Sequence, residues 1–437
     1  MILYGATTFI CIGLAILAAA LSVDKAMLLL VFFAPFTTTA VASIGGNSVI
    51  FYQLLWLVVA VKVFFHRRKS GQHLNKTWFP FLLFSFLTIP VALFKGDVLV
   101  VNVESQISHA RFSFQQFTQW GYLCIALSTA TFVEYLLRVG SLRLSSLIRC
   151  IDFAAVAVLL VAFLQTILPA DFLTATIRNS VHSAYAWDGA RISSTFQEPS
   201  MLSLYLMPLF AAHLIRFVMK PSFLSFGLMA SIIAVSLSNG SSSAFLALGI
   251  SVFTVFMIQG KKLFVEKISH GVVLMLLFLV ATVAIALLSG VFEDEITHML
   301  NKMFGEGVSG VERMAEVKHT WGVFLDNPIF GVGWGTSRCA VFFDWLSEIG
   351  IIGFTLTVIL PILRILVLLW RGQGFAHEVF CYLVTALALL FFVSSEGYYL
   401  SLWIFMGIAK YLVFDENTGR ESRSFKSSLL ESDSYAY

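Results

Sequence analysis

Long apolar runs with almost no charge inside them recur along the whole chain, and that pattern leaves few ways to fold. A helix needs about 20 apolar residues to cross a hydrocarbon layer. Residues 3–23, 26–42, 50–65, 79–94, 120–139, 151–168, 199–217, 223–237, 244–258, 272–288, 349–370, 379–393 and 400–413 are candidate spans. Only 12% of the 437 residues are charged, about half of the roughly 25% usual in soluble domains. The pattern predicts an all-α, polytopic integral membrane bundle of about 13 helices (12–14), with residues 1–414 as a single transmembrane domain. The polar, Ser-rich stretch 415–437 reads as a disordered tail. Nothing basic precedes the first run, so it reads as a retained span and not a cleaved signal.

Orientation follows from Lys and Arg, which favour the cytoplasmic side. With Lys62, Arg67, Arg68, Lys69 and Lys76 placed there, alternation puts 20 of the 28 basic residues in the cytoplasm and 8 outside. The N-terminus is then external and the C-terminus cytoplasmic. Three long loops, 95–119, 169–198 and 291–350, fall on the external face. Of five cysteines only Cys339 lies in the longest loop, so neither a disulfide framework nor a metal site is expected. No internal repeat of the kind found in many secondary transporters is evident.

Loops on a rigid scaffold are where chemistry usually sits. The 169–198 loop holds Arg178, His182, Asp188, Arg191 and Glu198, and Glu198-Pro199 opens a span because Pro suits the first helical turn. Glu198 therefore stands at the positive end of a helix dipole, either stabilising the helix or serving as a base. In the 291–350 loop, Ser309 to Leu325 reads as an amphipathic helix. Met314, Val317, Trp321 and Leu325 form its apolar face, and Glu312, Glu316 and His319 fall together on another, with Arg313 beside them. Such a helix lies on a membrane surface with its charged side in water. After Asn327-Pro328, Gly331, Gly333 and Gly335 permit a sharp turn or close approach to a ligand. Asp344 and Glu348, four apart, mark the rim of the next span as candidate site acids. Other charges read as structural: Glu134 paired with Arg138, Asp152 and Arg149 at a helix start, and His213 facing the bundle.

Taken together, four segments resemble the O-antigen polymerase and ligase superfamily. They are Arg191 to Glu198-Pro199-Ser200, Ser236 to Ser243, and Arg313 followed by Asn327-Pro-Ile-Phe-Gly-Val-Gly-Trp-Gly335, and Leu346-Ser-Glu-Ile-Gly-Ile-Ile-Gly353. The resemblance implies a bacterial inner-membrane glycosyltransferase with its active site facing the periplasm. Its donor is a glycan on undecaprenyl pyrophosphate, and it uses no nucleotide sugar, metal or other cofactor. The family's pyrophosphate-binding arginines fall on Arg191 and Arg313. The ligase branch commonly carries a His shortly before the Glu-x-Gly motif; that position lies near Cys339, and no His stands between Ala340 and Gly350, which favours a polymerase. Implied partners are lipid-linked glycans, the bilayer, a chain-length regulator and a flippase, with no nucleic acid.

Physical chemistry points to the same residue types. A pyrophosphate leaving group needs fixed cations, which Arg178, Arg191, Arg313 and Arg338 could supply. An acceptor hydroxyl needs a base, for which the external face offers Glu198, His319, Asp344 and Glu348. The first choice is Arg191 and Arg313 on pyrophosphate with Glu198 or Asp344 as base. A ligase, and in a different class a transporter or flippase, are the alternatives; the latter would carry paired charges deep within its spans.

Overall fold

The computed structural model describes residues 2–3, 5–44, 47–94, 98–102, 106–110, 114–168, 176–180, 192–239, 241–265, 308–336, 339–394 and 397–417. Its helices are α1 (Ala6–Ala20), α2 (Val23–Phe33), α3 (Phe51–Ser70), α4 (Phe79–Phe94), α5 (Phe114–Arg138), α6 (Leu144–Ile167) and α7 (Pro199–Met219). There follow α8 (Phe223–Asn239), α9 (Ser242–Val265), α10 (Val308–Asp326) and α11 (Val341–Phe354). A π-helical turn, Thr355–Ile359, joins α11 to α12 (Leu360–Arg371), and α13 (Phe375–Phe392) and α14 (Leu400–Asn417) complete the order. Among the described residues, six helices are long and apolar enough to cross a membrane, counting α11 to α12 as one, and four more are apolar but shorter.

The bundle is organised around α7. Every residue from Met201 to Ile215 is buried, so the helix is enclosed on all sides, chiefly by α13, α9 and α8. Outward positions elsewhere are apolar too: Phe153, Leu160, Phe163 and Ile167 of α6 and Leu356, Leu360, Leu363 and Val367 of the α11–α12 span are exposed. A soluble surface does not carry such a patch, and a lipid-facing one does. The molecule is an all-α polytopic membrane bundle, as composition predicts.

One run departs from expectation. Residues 26–42 do not form one span: α2 stops at Phe33, and Ala40–Ile44 is strand β2, between β1 (Ile2–Leu3) and β3 (Asn47–Ile50) in an antiparallel sheet. Pro35 removes a helical donor, and the threonines that follow bond across the chain. Thr38 Oγ1 donates to the Thr195 carbonyl (2.9 Å) and Thr39 Oγ1 to that of Ile177 (2.8 Å). The Asn179 amide both accepts from Ala40 N–H (2.7 Å) and donates to the Ala40 carbonyl (3.0 Å). The 95–119 loop is also more ordered than a plain loop, holding the hairpin β4 (Val98–Asn102) and β5 (Gln106–Ala110) before α5 begins. The 272–288 run lies outside the described residues.

Candidate functional site

The segment from α10 into α11 is held by a helix break. Gly350 has φ 67° and ψ 175°, which no helix tolerates, so the i→i−4 ladder stops there. The Ser347 and Glu348 carbonyls, next to the break, accept from Val332 N–H (2.9 Å) and Gly333 N–H (3.0 Å). Ile351 N–H in turn donates to the Pro328 carbonyl (2.8 Å). The Asn327–Gly335 strand is thereby laid against the broken helix as a backbone clasp. It fits only because side chains are absent: a Cβ on Gly350 would stand 2.2 Å from the Ile329 carbonyl oxygen. Trp334, wholly buried, plugs the clasp between Phe81 and Trp345.

A cleft of about 120 Å³ opens beside this clasp, at the end of the bundle where α7 and α9 begin and α13 ends. Its wall comprises Glu198 and Ser200 at the head of α7, Ser243 of α9 and Glu316 of α10. Cys339 and Ala340, ahead of α11, and Val393 and Ser394, after α13, close it. Two glutamates, three serines and a cysteine thus line one small volume together with Leu204, Leu389 and Phe392. Burial and the nearby Asp344 charge raise the Cys339 thiol to about 11.

The reach of Glu316 into this cleft follows from the way α10 lies. Its apolar residues Met314 and Leu325 are 60% and 58% exposed, while Thr320 and Phe324 are buried. The apolar face is thus split: Met314 and Leu325 are exposed, while Val317 lines the cleft beside Glu316. Glu316, which the spacing places on one face with Glu312 and His319 but which was not among the candidate site residues, is half-buried and lines the cleft. The signal was present in the sequence: three charged or titratable residues, Arg313, Glu316 and His319, recur at intervals of three on a helix at a membrane surface.

The other anticipated residues are placed as follows. Glu198 is exposed and accepts from Ser200 Oγ at 3.0 Å. Asp344 and Glu348, expected at an open rim, are instead 6% and 4% exposed. Both Asp344 oxygens accept from Cys339 N–H, at 2.7 and 2.9 Å, so this carboxylate fastens the turn entering α11. Glu348 is enclosed, its carbonyl part of the clasp. His319 lies on α10 half-buried and outside the cleft wall. The close approach permitted by Gly333 and Gly335 is to protein: a Cβ on Gly333 would meet the Thr88 carbonyl at 2.7 Å, and one on Gly335 would meet Gln116 Cα at 3.1 Å. Arg178, expected as a cation of the external face, is 1% exposed beside Ile177 and Asn179, which bond to the Thr38–Ala40 segment, and burial lowers it to about 10. Arg191 and Arg338 lie outside the described residues; Arg313 is on α10, but its side chain is not described.

Two charged groups at the opposite end differ from the sequence reading. Glu134 pairs not with Arg138 but with Lys410 of α14 (3.1 Å), and accepts from Asn75 Nδ2 (2.9 Å). Asp152 does not sit at a helix start; it meets His213 (3.4 Å) and Arg216 (3.5 Å), and Arg216 also binds Glu378 of α13 (2.7 Å).

An all-α bundle with a polar cleft at one end defines a polytopic membrane protein. Residues 224–358, from α8 into the π-helical turn after α11, match the family described as O-antigen ligase. That match, over 135 of the 437 residues, supports the O-antigen polymerase and ligase superfamily, whose members are glycosyltransferase-like enzymes. No curated protein and no solved structure matches it.

Proposed function

We propose that this chain is an inner-membrane glycosyltransferase that polymerises oligosaccharide repeat units carried on undecaprenyl pyrophosphate, working at the periplasmic face without a metal. The observation that carries this reading is the meeting of two separate segments at one cleft. The Glu198-Pro199 head of α7 and the α10 helix that bears Arg313 are more than 100 residues apart in sequence, yet Glu198 and Glu316 line the same volume. Hydroxyls and carboxylates there suit a sugar acceptor and its proton. Arg191 and Arg313 are the cations assigned to the pyrophosphate, since a bidentate guanidinium stabilises charge as it develops on the leaving group. Asp344, engaged with the Cys339 amide, is the weaker candidate base.

The family description favours a second reading, a ligase that moves finished polymer to a lipid A core. A gel of lipopolysaccharide separates the two: loss of a polymerase leaves core capped by a single repeat, and loss of a ligase leaves core bare. Paired charges within the helices, which a transporter would carry, do occur: Arg216 with Glu378 at the helix ends, and Asp152 with His213 and Glu134 with Lys410 further in. Extension of a purified lipid-linked repeat by the purified protein, with and without chelator, is the direct test. Arg313→Ala should abolish extension in it; substrate-gated flux through proteoliposomes with no bond formed would favour the transporter.

A further inference from the structure

Glu198 and Glu316 share a cleft but not an environment. Glu198 stands exposed at the N-cap position of α7, by the positive end of the helix dipole. Glu316 stands in the middle of α10, half-buried, and the cleft residues around it include Val317, Leu389, Phe392 and Val393. It is electrostatically close to the buried cleft wall: its charge, after desolvation and that of Asp344, is among the influences that raise the Cys339 thiol. The other titratable groups bearing on this volume are Glu198 from α7 and Cys339 and Asp344 ahead of and within α11; α9 and α13 contribute the hydroxyls Ser243 and Ser394. Arg313, Lys318 and His319 lie on α10 itself.

Two carboxylates in unlike settings divide acid–base work. Resting on the glycosyl-transfer reading above, we propose that Glu316 is the catalytic base of the cleft. Its carboxylate takes the proton of the acceptor hydroxyl. The freed oxygen lone pair bonds to the anomeric carbon of the donor, and the bond from that carbon to pyrophosphate breaks, its electron pair leaving on the pyrophosphate oxygen. The proton then passes from Glu316 to water through the open side of the cleft. Glu198, at the rim, offsets the positive character that develops at the anomeric carbon.

The test is the pH dependence of single-turnover extension of a lipid-linked repeat by the full-length protein in nanodiscs. Glu316→Gln should slow the bond-forming step by about 100-fold or more, within the range of a lost general base. It should also remove the acidic limb of the profile and leave donor KM unchanged. Glu316→Asp should restore both limb and part of the rate, and Glu198→Gln should slow the reaction while keeping the limb. A Glu316→Gln protein within threefold of wild type, or one that loses rate through donor KM with the limb intact, overturns the assignment. A wild-type protein that forms no glycosidic bond overturns instead the reading on which it rests.

Discussion

Replacing Gly350 by Ala tests whether the clasp holds the cleft together. The residue's φ of 67° and ψ of 175° belong to a region that essentially only glycine occupies. Forcing an L side chain there costs about 1–3 kcal/mol. The added Cβ would also lie 2.2 Å and 2.4 Å from the carbonyl oxygen and carbon of Ile329, and 2.6 Å from Phe330 N. All three are backbone atoms, so the strand itself must move. Its movement strains the Val332, Gly333 and Ile351 hydrogen bonds, each worth about 0.5–1.5 kcal/mol net. Together these terms come to about 3–7 kcal/mol, a large part of the stability of any domain. Purified Gly350→Ala should therefore lose several degrees of thermal stability in detergent, and with them the extension activity. Gly227→Ala is the matched control. Gly227 is helical with no heavy atom within 4 Å of a new Cβ, so alanine should be neutral or stabilising by about 1 kcal/mol. Indistinguishable melting of Gly350→Ala and wild type would refute the clasp as a stabilising element.

Two further outcomes follow from the charged groups. Lys410→Met strands the Glu134 carboxylate, which is 1% exposed, without its cation. That should cost about 3–5 kcal/mol, and Glu134→Leu/Lys410→Met should recover most of it; a double variant as unstable as the single would show that the pair is not the cause. Asp344→Asn keeps an acceptor for Cys339 N–H but removes a charge that raises the thiol. Thiol-reagent labelling of Cys339 at pH 8 should accelerate several-fold. The gain stays modest because desolvation, the larger cause, persists. Slower labelling in Asp344→Asn would mean that Asp344 does not set the thiol's environment.

How far the sequence could be read depends on which forces are local. Apolar runs long enough to span a membrane are a local property, and eleven of the thirteen predicted runs coincide with described helices. Residues 26–42 misled because hydropathy scores the three threonines at 37–39 by composition. Their hydroxyls instead find carbonyls at Ile177 and Thr195, some 140 to 160 residues away. Glu134 misled in the same way: Arg138 is its neighbour on the helix, but Lys410 is its neighbour in space. For α10 the period was legible and the facing was not. Amphipathicity fixes which residues share a side, and only the surrounding medium decides which side turns inward.

That last point bears on how the glycine-rich motif contributes to the site. Its spacing invites a ligand-cradle reading, yet Gly331, Gly333, Gly335 and Gly350 all have positive φ, and a Cβ on any of them would crowd protein atoms. The motif's chemistry is backbone chemistry: it supplies N–H groups to the Ser347 and Glu348 carbonyls at the break in α11. Asp344 then ties Cys339, and Val341 N–H reaches the Ser394 carbonyl (2.9 Å), bringing the end of α13 to the cleft. The carboxylates proposed to act in the reaction come from elsewhere, Glu198 from α7 and Glu316 from α10, and both line the cleft. Loss of activity on mutating the motif would therefore report a displaced backbone, and substitutions at the two glutamates and at the arginines proposed to bind pyrophosphate test the proposed bond-forming step.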